Sequence, residues 1–167
     1  MKRWYVAYTH AGGESMAEGH LTRQGFGAYV PRYLKERRHA RRRDVIKAPL
    51  FPRYLFVELD VERERWRSVN STYGISYLVS MGHHPSPMPE GVVEEIRARE
   101  NNEKIIELPD EAPFEPGEIV QITGGALADQ VGRFLGMNDG NRVSVLLEML
   151  GRGLRIQLPV ETLRAYA

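Results

Sequence analysis

The chain of 167 residues contains no cysteine. This excludes a disulfide framework, a cysteine-based zinc site and a thiol nucleophile. Its apolar runs are far shorter than the roughly 20 residues that span a bilayer. The charged start, Met1-Lys2-Arg3-Trp4, is not followed by an apolar stretch of signal-peptide length. We therefore expect a cytoplasmic protein with no membrane segment.

The chain also has almost no net charge, because 23 basic residues are balanced by 22 acidic ones. The balance hides an asymmetry. Residues 1–89 carry 15 basic and 8 acidic side chains, a net charge of +7, whereas residues 90–167 carry 8 and 14, a net charge of −6. Such a difference between two halves is typical of a chain with one part that faces nucleic acid.

The first hundred residues alternate between strand and helix patterns. We predict strands at residues 3–8, 26–30, 54–60 and 75–79, where β-branched and aromatic residues concentrate. Helices are predicted from a Ser15 cap to about residue 24, over residues 62–70 after an Asp60 cap, and from Pro89 to about residue 103. Their inward positions are Ala17, Leu21, Trp66, Val69, Val92, Val93 and Ile96. This order predicts an α+β sandwich, with helices against a mostly antiparallel sheet.

Residues 35–47 are strongly basic, with seven lysines and arginines against Glu36 and Asp44. The flanking pairs Tyr33-Leu34 and Val45-Ile46 predict the two arms of a hairpin with a basic tip. A solvated, partly disordered loop is the alternative.

After the third predicted helix the composition changes. Residues 97–111 hold eight charged side chains, with Pro109 and Pro113 at their end, which indicates a linker at 100–112. Beyond it, five short apolar runs at 118–122, 131–135, 142–148, 154–158 and 162–164 are separated by turn residues such as Asp139-Gly140. We therefore predict three parts: a domain at 1–99, a linker at 100–112, and a small five-stranded β-barrel at 113–167.

Four motifs carry a resemblance to a known family: Trp4-Tyr5-Val6, the run PLFPRYLFV at 49–57, Thr72-Tyr73-Gly74-Ile75, and the run PGEIVQI at 116–122 followed by Gly124-Gly125. Together they resemble the NusG family over essentially the whole chain, and the proline-aromatic run is closer to RfaH-like specialised paralogues. The resemblance implies an N-terminal NGN domain, a linker and a C-terminal KOW barrel. It also implies a monomeric transcription elongation factor that needs no cofactor and is not an enzyme.

The resemblance further implies that an apolar depression on the NGN domain grips the clamp helices of the RNA polymerase β′ subunit and thereby suppresses pausing. The matching positions are Tyr8, Phe51, Tyr54, Phe56, Val93 and Ile96. Phe51 and Tyr54 lie beside prolines at a strand entrance, so we expect them to be exposed; for Phe56 a place in the core is the alternative. Arg65, Trp66 and Arg67 match a segment that contacts the β gate loop, although Trp66 packed inward between solvated arginines is an equal alternative.

Two further surfaces are implied by the resemblance. His10, His20, Arg23, Thr72 and Tyr73 match positions that contact the exposed non-template DNA strand. His20 and Arg23 are three residues apart and hence neighbours on a helix. Met149, Leu150, Gly151 and Arg152 match the KOW loop that contacts a small-subunit ribosomal protein or Rho.

Alternatives remain for the C-terminal part and for the function. In RfaH the KOW domain also folds as an α-helical hairpin, but the glycines here favour a stable barrel, with residues 143–150 as the segment that is compatible with helix. The competing function is a KOW-containing RNA-binding or ribosome-associated module.

His83-His84 are adjacent and cannot jointly bind a metal on a strand, so we predict no metal site. No arrangement of Ser, His and an acid stands out in the sequence, so we predict no catalytic residues.

Overall fold

The computed structural model describes residues 1–108, 119–122, 131–133 and 163–165. Its central strands are β1 at Arg3–Thr9, β2 at Gly27–Tyr29, β5 at Tyr54–Leu59 and β6 at Ile75–Leu78. They form a four-stranded antiparallel sheet in the order β2, β5, β1, β6. Their apolar side chains alternate between the two faces of the sheet, so each face has its own buried cluster.

One helix covers each face. Helix α1, Glu14–Arg23, buries Ala17 and Leu21 with Leu55 and Val57 of the sheet, and we call this side the α1 face. Helix α2, Val92–Ala98, buries its valines with Val6 and Phe56 on the opposite side, the α2 face. The predicted α+β sandwich with an antiparallel sheet is confirmed for this part of the chain.

The predicted basic hairpin is also confirmed. Strand β3, Arg32–His39, pairs with β4, Arg42–Pro49, in a separate two-stranded sheet. The strands are longer than we expected, because the basic residues lie within them and not only at the tip. A second small hairpin joins β7, Ser80–Met81, to β8, His84–Pro85.

Three predicted helix boundaries are wrong. Gly13 precedes α1 without a side-chain cap, and Ser15 lies inside the helix, where its hydroxyl accepts a hydrogen bond from Arg32 at 3.0 Å. Asp60 does accept the N–H of Glu62, at 3.0 Å, but the helix that follows is a 3-10 helix at Trp66–Ser71. It buries Val69 fully and Trp66 in part.

The third predicted helix, α2, is shorter than the predicted range at both ends. Gly91, in the left-handed region with φ of 87°, precedes it, so Pro89 is not its first residue. Beyond α2 the Asn101 side-chain oxygen accepts the N–H groups of Glu103 and Ile105, which folds this segment into a turn where we expected helix.

The packed region extends beyond residue 99. Ile105 and Ile106 are buried, and the N–H of Ile106 donates to the Arg32 carbonyl at 2.9 Å. Leu108 packs against the α2-face cluster. The first part of the expected linker is therefore part of the folded body, because these apolar side chains are needed to close its core. The division at residues 112 and 113 stays a prediction.

The C-terminal segments form a three-stranded antiparallel sheet. Strand β9, Ile119–Ile122, lies between β10, Val131–Arg133, and β11, Leu163–Ala165. Three of the five predicted runs thus contain strands. The runs at 142–148 and 154–158, and the segment 143–150, lie outside the described residues, so the five-stranded barrel and its helical alternative stay predictions. Within the described part of the chain, no helix has the length and apolar character needed to cross a membrane.

Candidate functional site

Three tyrosines form a row across the sheet on the α2 face. Tyr54 and Tyr77 flank Tyr8 in the strand register, and each ring centroid lies 5.1 Å from that of Tyr8. Tyr77 is 49 % exposed, and Tyr8 and Tyr54 are half-buried. We call this row the tyrosine ladder. It presents a continuous aromatic strip whose hydroxyl-bearing rings can contact a partner.

Arg53 completes the ladder. Its guanidinium carbon lies 4.6 Å from the Tyr8 ring centroid, a cation–π contact. Its backbone is in the left-handed region, with φ of 71°. Buried Glu14, at the start of α1, accepts the Arg53 N–H at 2.8 Å, and the carbonyl of Arg53 accepts the N–H of Thr9 at 2.7 Å. These bonds hold the turn that places both Arg53 and Tyr54.

Several expected polymerase contacts lie in the core beneath the ladder. Phe51 and Phe56 are 2 % and 1 % exposed and meet edge to face at 5.9 Å, and Val93 is also buried. The expected exposure of Phe51 is wrong, because a turn closed by the Tyr54 N–H and the Phe51 carbonyl directs its ring inward. Phe51, Phe56 and Val93 belong to the buried cluster against which Tyr54 packs. Ile96 is half-buried and packs on the same cluster.

Residues 65–67 lie elsewhere. Trp66 packs partly against the α1-face cluster, on the opposite side of the sheet from the ladder. The Arg67 guanidinium carbon lies 4.8 Å from the Trp66 ring centroid, and Arg65 and Arg67 are exposed. The structure thus does not join this segment to the ladder, and the partly inward Trp66 agrees with the packed alternative.

The expected DNA-contact residues gather at the outer surface of α1. His20 and Tyr73 are 53 positions apart in the chain, yet their ring centroids lie 5.5 Å apart. Tyr73 is 75 % exposed, so most of its ring is accessible. Arg23 is exposed on the same helix, and exposed His10 has its Nδ1 3.2 Å from the Ser76 hydroxyl. We call His20 and Tyr73 the stacking pair.

Thr72 is not available for contact. It is buried, its hydroxyl donates to the Ser68 carbonyl at 2.9 Å, and it accepts from the Gln24 side chain at 2.7 Å. The expectation that Thr72 lies on the DNA surface is therefore wrong. Its bonds instead fix the loop that carries Tyr73.

Gly74 brings that loop close to α1. Its φ is +88°, and a Cβ there would lie 2.9 Å from the Gly13 carbonyl oxygen and 3.1 Å from the Ala17 nitrogen. The Gly74 carbonyl accepts the His10 N–H at 2.9 Å. Only a residue without a side chain fits this approach, which sets the position of the stacking pair.

Tyr77 of the ladder and the adjoining Arg53 were not among the predicted site residues. Tyr77 and Arg53 each lie in or beside a predicted strand, but the sequence does not show which residues face each other across strands. The aromatic residues on the predicted strands, at positions 8, 54 and 77, were the available signal.

In the described residues, no three His, Asp or Glu side chains are grouped as metal ligands.

Comparisons with known proteins identify the family. The family model described as "Transcription termination factor nusG" matches residues 2–97, more than half of the chain. The chain belongs to the NusG family. NusG-family proteins named transcription termination/antitermination protein NusG are similar along almost the full length. The one from Thermus thermophilus is 27 % identical over 93 % of this chain and 94 % of its own. The one from Staphylococcus aureus is 30 % identical over 96 % and 91 %.

A solved structure of NusG from Thermotoga maritima, entitled "Domain interaction in Thermotoga maritima NusG", has the same fold. It aligns with a TM-score of 0.53 and 24 % identity over 100 % of this chain and 98 % of that one. The NusG family match includes the four-stranded sheet, α1, α2 apart from its last residue, the tyrosine ladder and the stacking pair. Met149, Leu150, Gly151 and Arg152 lie beyond that match and outside the described residues.

Proposed function

We propose that this NusG-family chain is an RfaH-like transcription elongation and antitermination factor that binds RNA polymerase through its N-terminal domain and suppresses pausing. The observation that supports it most is the tyrosine ladder beside Ile96. Aromatic side chains dominate the energetics of protein interfaces when they are anchored by surrounding packing. Here Tyr54 and Ile96 pack on the buried cluster that contains Phe51 and Phe56, and the ring of Tyr8 contacts those of Tyr54 and Tyr77.

The occupant of the ladder in this proposal is the tip of the β′ clamp helices. The ladder offers its ring faces to such a tip, and Arg53, held over the central ring of Tyr8, supplies a cation beside them. Such a preordered surface reduces the conformational entropy lost on binding.

The test is binding of the isolated clamp-helix hairpin to the full chain, measured by calorimetry. Tyr54→Ala and Ile96→Ser each remove a side chain at the surface and should weaken binding about 30-fold, as expected for an interface residue worth about 2 kcal/mol. Tyr73→Ala is the matched control, because it removes an exposed ring on the other side of the sheet. Phe56→Ala is unsuitable, since it would open a cavity in the core.

Unchanged affinity in both Tyr54→Ala and Ile96→Ser, with native melting temperatures, would refute this surface. An equal loss in Tyr73→Ala would show that the effect is not specific to the ladder.

We propose further that the stacking pair contributes to recruitment by contacting an unstacked base of the non-template DNA strand. Base-aromatic stacking contributes about 1–3 kcal/mol per base. The exposed face of Tyr73 provides the ring, while the His20 contact on its other side fixes its orientation. Arg23 and His10 lie on exposed neighbouring positions where they can reach phosphates or base edges.

Recruitment to a transcription bubble assembled with RNA polymerase would test this. Tyr73→Ala should weaken recruitment about tenfold when the non-template strand is present and leave it unchanged when that strand is omitted. Met81→Ala, which removes a comparably exposed apolar side chain from β7, is the control. A loss that does not depend on the non-template strand would contradict the proposed contact.

The KOW positions Met149, Leu150, Gly151 and Arg152 are proposed to contact a small-subunit ribosomal protein or Rho. This part of the proposal rests on the family resemblance of the C-terminal segment. Pull-down of each purified partner by the full chain, with Leu150→Ala and Arg152→Ala as variants, would test it. Retained binding in both variants would refute the assignment.

A further inference from the structure

The β3–β4 hairpin, which we call the arginine ribbon, extends from the folded body. Every residue from 34 to 45 is exposed, and in the described part of the chain its two strands pair only with each other. Its base is attached firmly: the Leu50 N–H donates to the Pro31 carbonyl at 2.8 Å, and Arg32 bonds to Glu18 at 3.2 Å. Residues 34–45 of the ribbon thus form an ordered projection that buries almost no apolar surface of its own.

The acidic residues of the ribbon are already paired. Asp44 binds Arg37 through two hydrogen bonds of 2.9 and 3.3 Å, and the Arg37 guanidinium lowers the pKa of the Asp44 carboxyl. Glu36 lies 3.6 Å from Arg43. Four cations remain without a carboxylate partner among the described residues: Arg38, Arg41, Arg42 and Lys47.

The strand register places two arginines opposite each other, Arg38 and Arg43. Arg42 follows one position nearer the tip. Like charges directly opposite one another destabilise an antiparallel pair. This arrangement opposes the stability of the free hairpin, so a polyanionic ligand that neutralises it is the simplest explanation.

The turn at the tip adds a second cost. Ala40 and Arg41 both have positive φ, at 49° and 67°. A two-residue turn of this kind favours Asn-Gly, which adopts the left-handed region readily. Here a long cationic side chain occupies the apex instead. Backbone strain that stability does not require is typical of functional sites.

We propose that the arginine ribbon binds duplex DNA through its phosphates, without sequence preference. The major groove of B-form DNA is wide enough to admit a two-stranded ribbon, whereas that of an RNA duplex is deep and narrow. Residues 34–47 contain no Phe, Trp or Tyr, so the ribbon lacks the rings on which single-stranded bases stack. This site is separate from the stacking pair and does not depend on the proposed binding of polymerase.

The test measures binding of the full chain to a labelled duplex of roughly 20 base pairs, about two helical turns, by fluorescence anisotropy at several salt concentrations. The variant is Arg38→Gln, Arg41→Gln and Arg42→Gln combined. The control, Lys2→Gln, Arg99→Gln and Lys104→Gln combined, removes the same charge from the exposed surface of the body. Circular dichroism verifies that both remain folded.

Each phosphate contact adds about 0.9 to the slope of log affinity against log salt. The ribbon variant should therefore have a slope smaller by about 2.7. Between about 50 and 200 mM salt, the unmodified chain should lose about 40-fold more affinity than this variant does. The control should keep most of the slope. Glu36→Gln with Asp44→Asn, which frees two arginines, should steepen it.

Three outcomes would overturn the proposal. One is an equal slope in the ribbon variant and the control. The second is tighter binding to the single strand of the same sequence, which would favour the stacking pair. The third is a preference for an RNA duplex of the same length. Equal affinity for two unrelated DNA sequences would support contact through phosphates alone.

Discussion

The substitution Gly74→Ala tests the close packing of the Gly74 loop against the start of helix α1. Its φ of +88° imposes a cost of about 1–2 kcal/mol on any residue with a Cβ. The new Cβ would also meet the Gly13 carbonyl oxygen at 2.9 Å and backbone and side-chain atoms of Ala17 at 3.1 Å. Overpacking of this kind costs about 1–3 kcal/mol. The combined loss in unfolding free energy is therefore about 2–5 kcal/mol.

Gly25 offers a matched control. Its φ is +91°, nearly that of Gly74, but a Cβ there would have no atom within 4 Å. Gly25→Ala should therefore show the backbone cost alone, about 1–2 kcal/mol. The difference between the two variants isolates the contact with α1.

Urea unfolding followed by tryptophan fluorescence is the assay. The chain has two tryptophans, Trp4 and Trp66, and both lie in the N-terminal body, so the signal reports that part alone. If Gly74→Ala and Gly25→Ala lose the same free energy to within about 0.5 kcal/mol, the loop relaxes without cost and our account of this contact is wrong.

Two further predictions concern buried rings. Phe51→Ala should lower the unfolding free energy by about 3–5 kcal/mol in the same urea assay, and a loss below about 1 kcal/mol would show that its ring is not in the core. Burial, followed by the nearby Glu100, raises the pKa of Tyr29 well above its usual value of 10.0. The unfolded chain ionises there first, so stability should fall as pH rises above about 10, and Tyr29→Phe should reduce that dependence in urea titrations at alkaline pH. An unchanged dependence would contradict the proposed burial effect.

The strands were predictable because their apolar runs are strong local signals. Residues 54–59 are β-branched, aromatic or leucine apart from Glu58, and the structure places them as an inner strand of the sheet. Ala17 and Leu21 were likewise predictable from helical spacing. Patterns of this kind depend on neighbours within a few positions, which a sequence displays directly.

The site was less predictable, because it depends on contacts between distant segments. Thr72 is a polar residue of a type common at surfaces, but the structure buries it and pairs its hydroxyl with Gln24, 48 positions away. Phe51 stands between two prolines, which suggested exposure, yet the turn at Arg53 reverses the chain and buries the ring. The family resemblance assigns His20 and Tyr73 to one surface, but the contact between their rings joins residues 53 positions apart and is visible only in the fold.

The hydrogen bond that the Arg53 N–H donates to Glu14 has a consequence for the two proposed contact surfaces. Glu14 belongs to the first turn of α1, which carries His20, and Arg53 lies against Tyr8 of the ladder. One buried carboxylate therefore connects α1, on one side of the sheet, to the turn at Arg53 beside the ladder on the other side. A partner held at the ladder would fix the direction in which the outer surface of α1 points, so a single docking event would aim both surfaces.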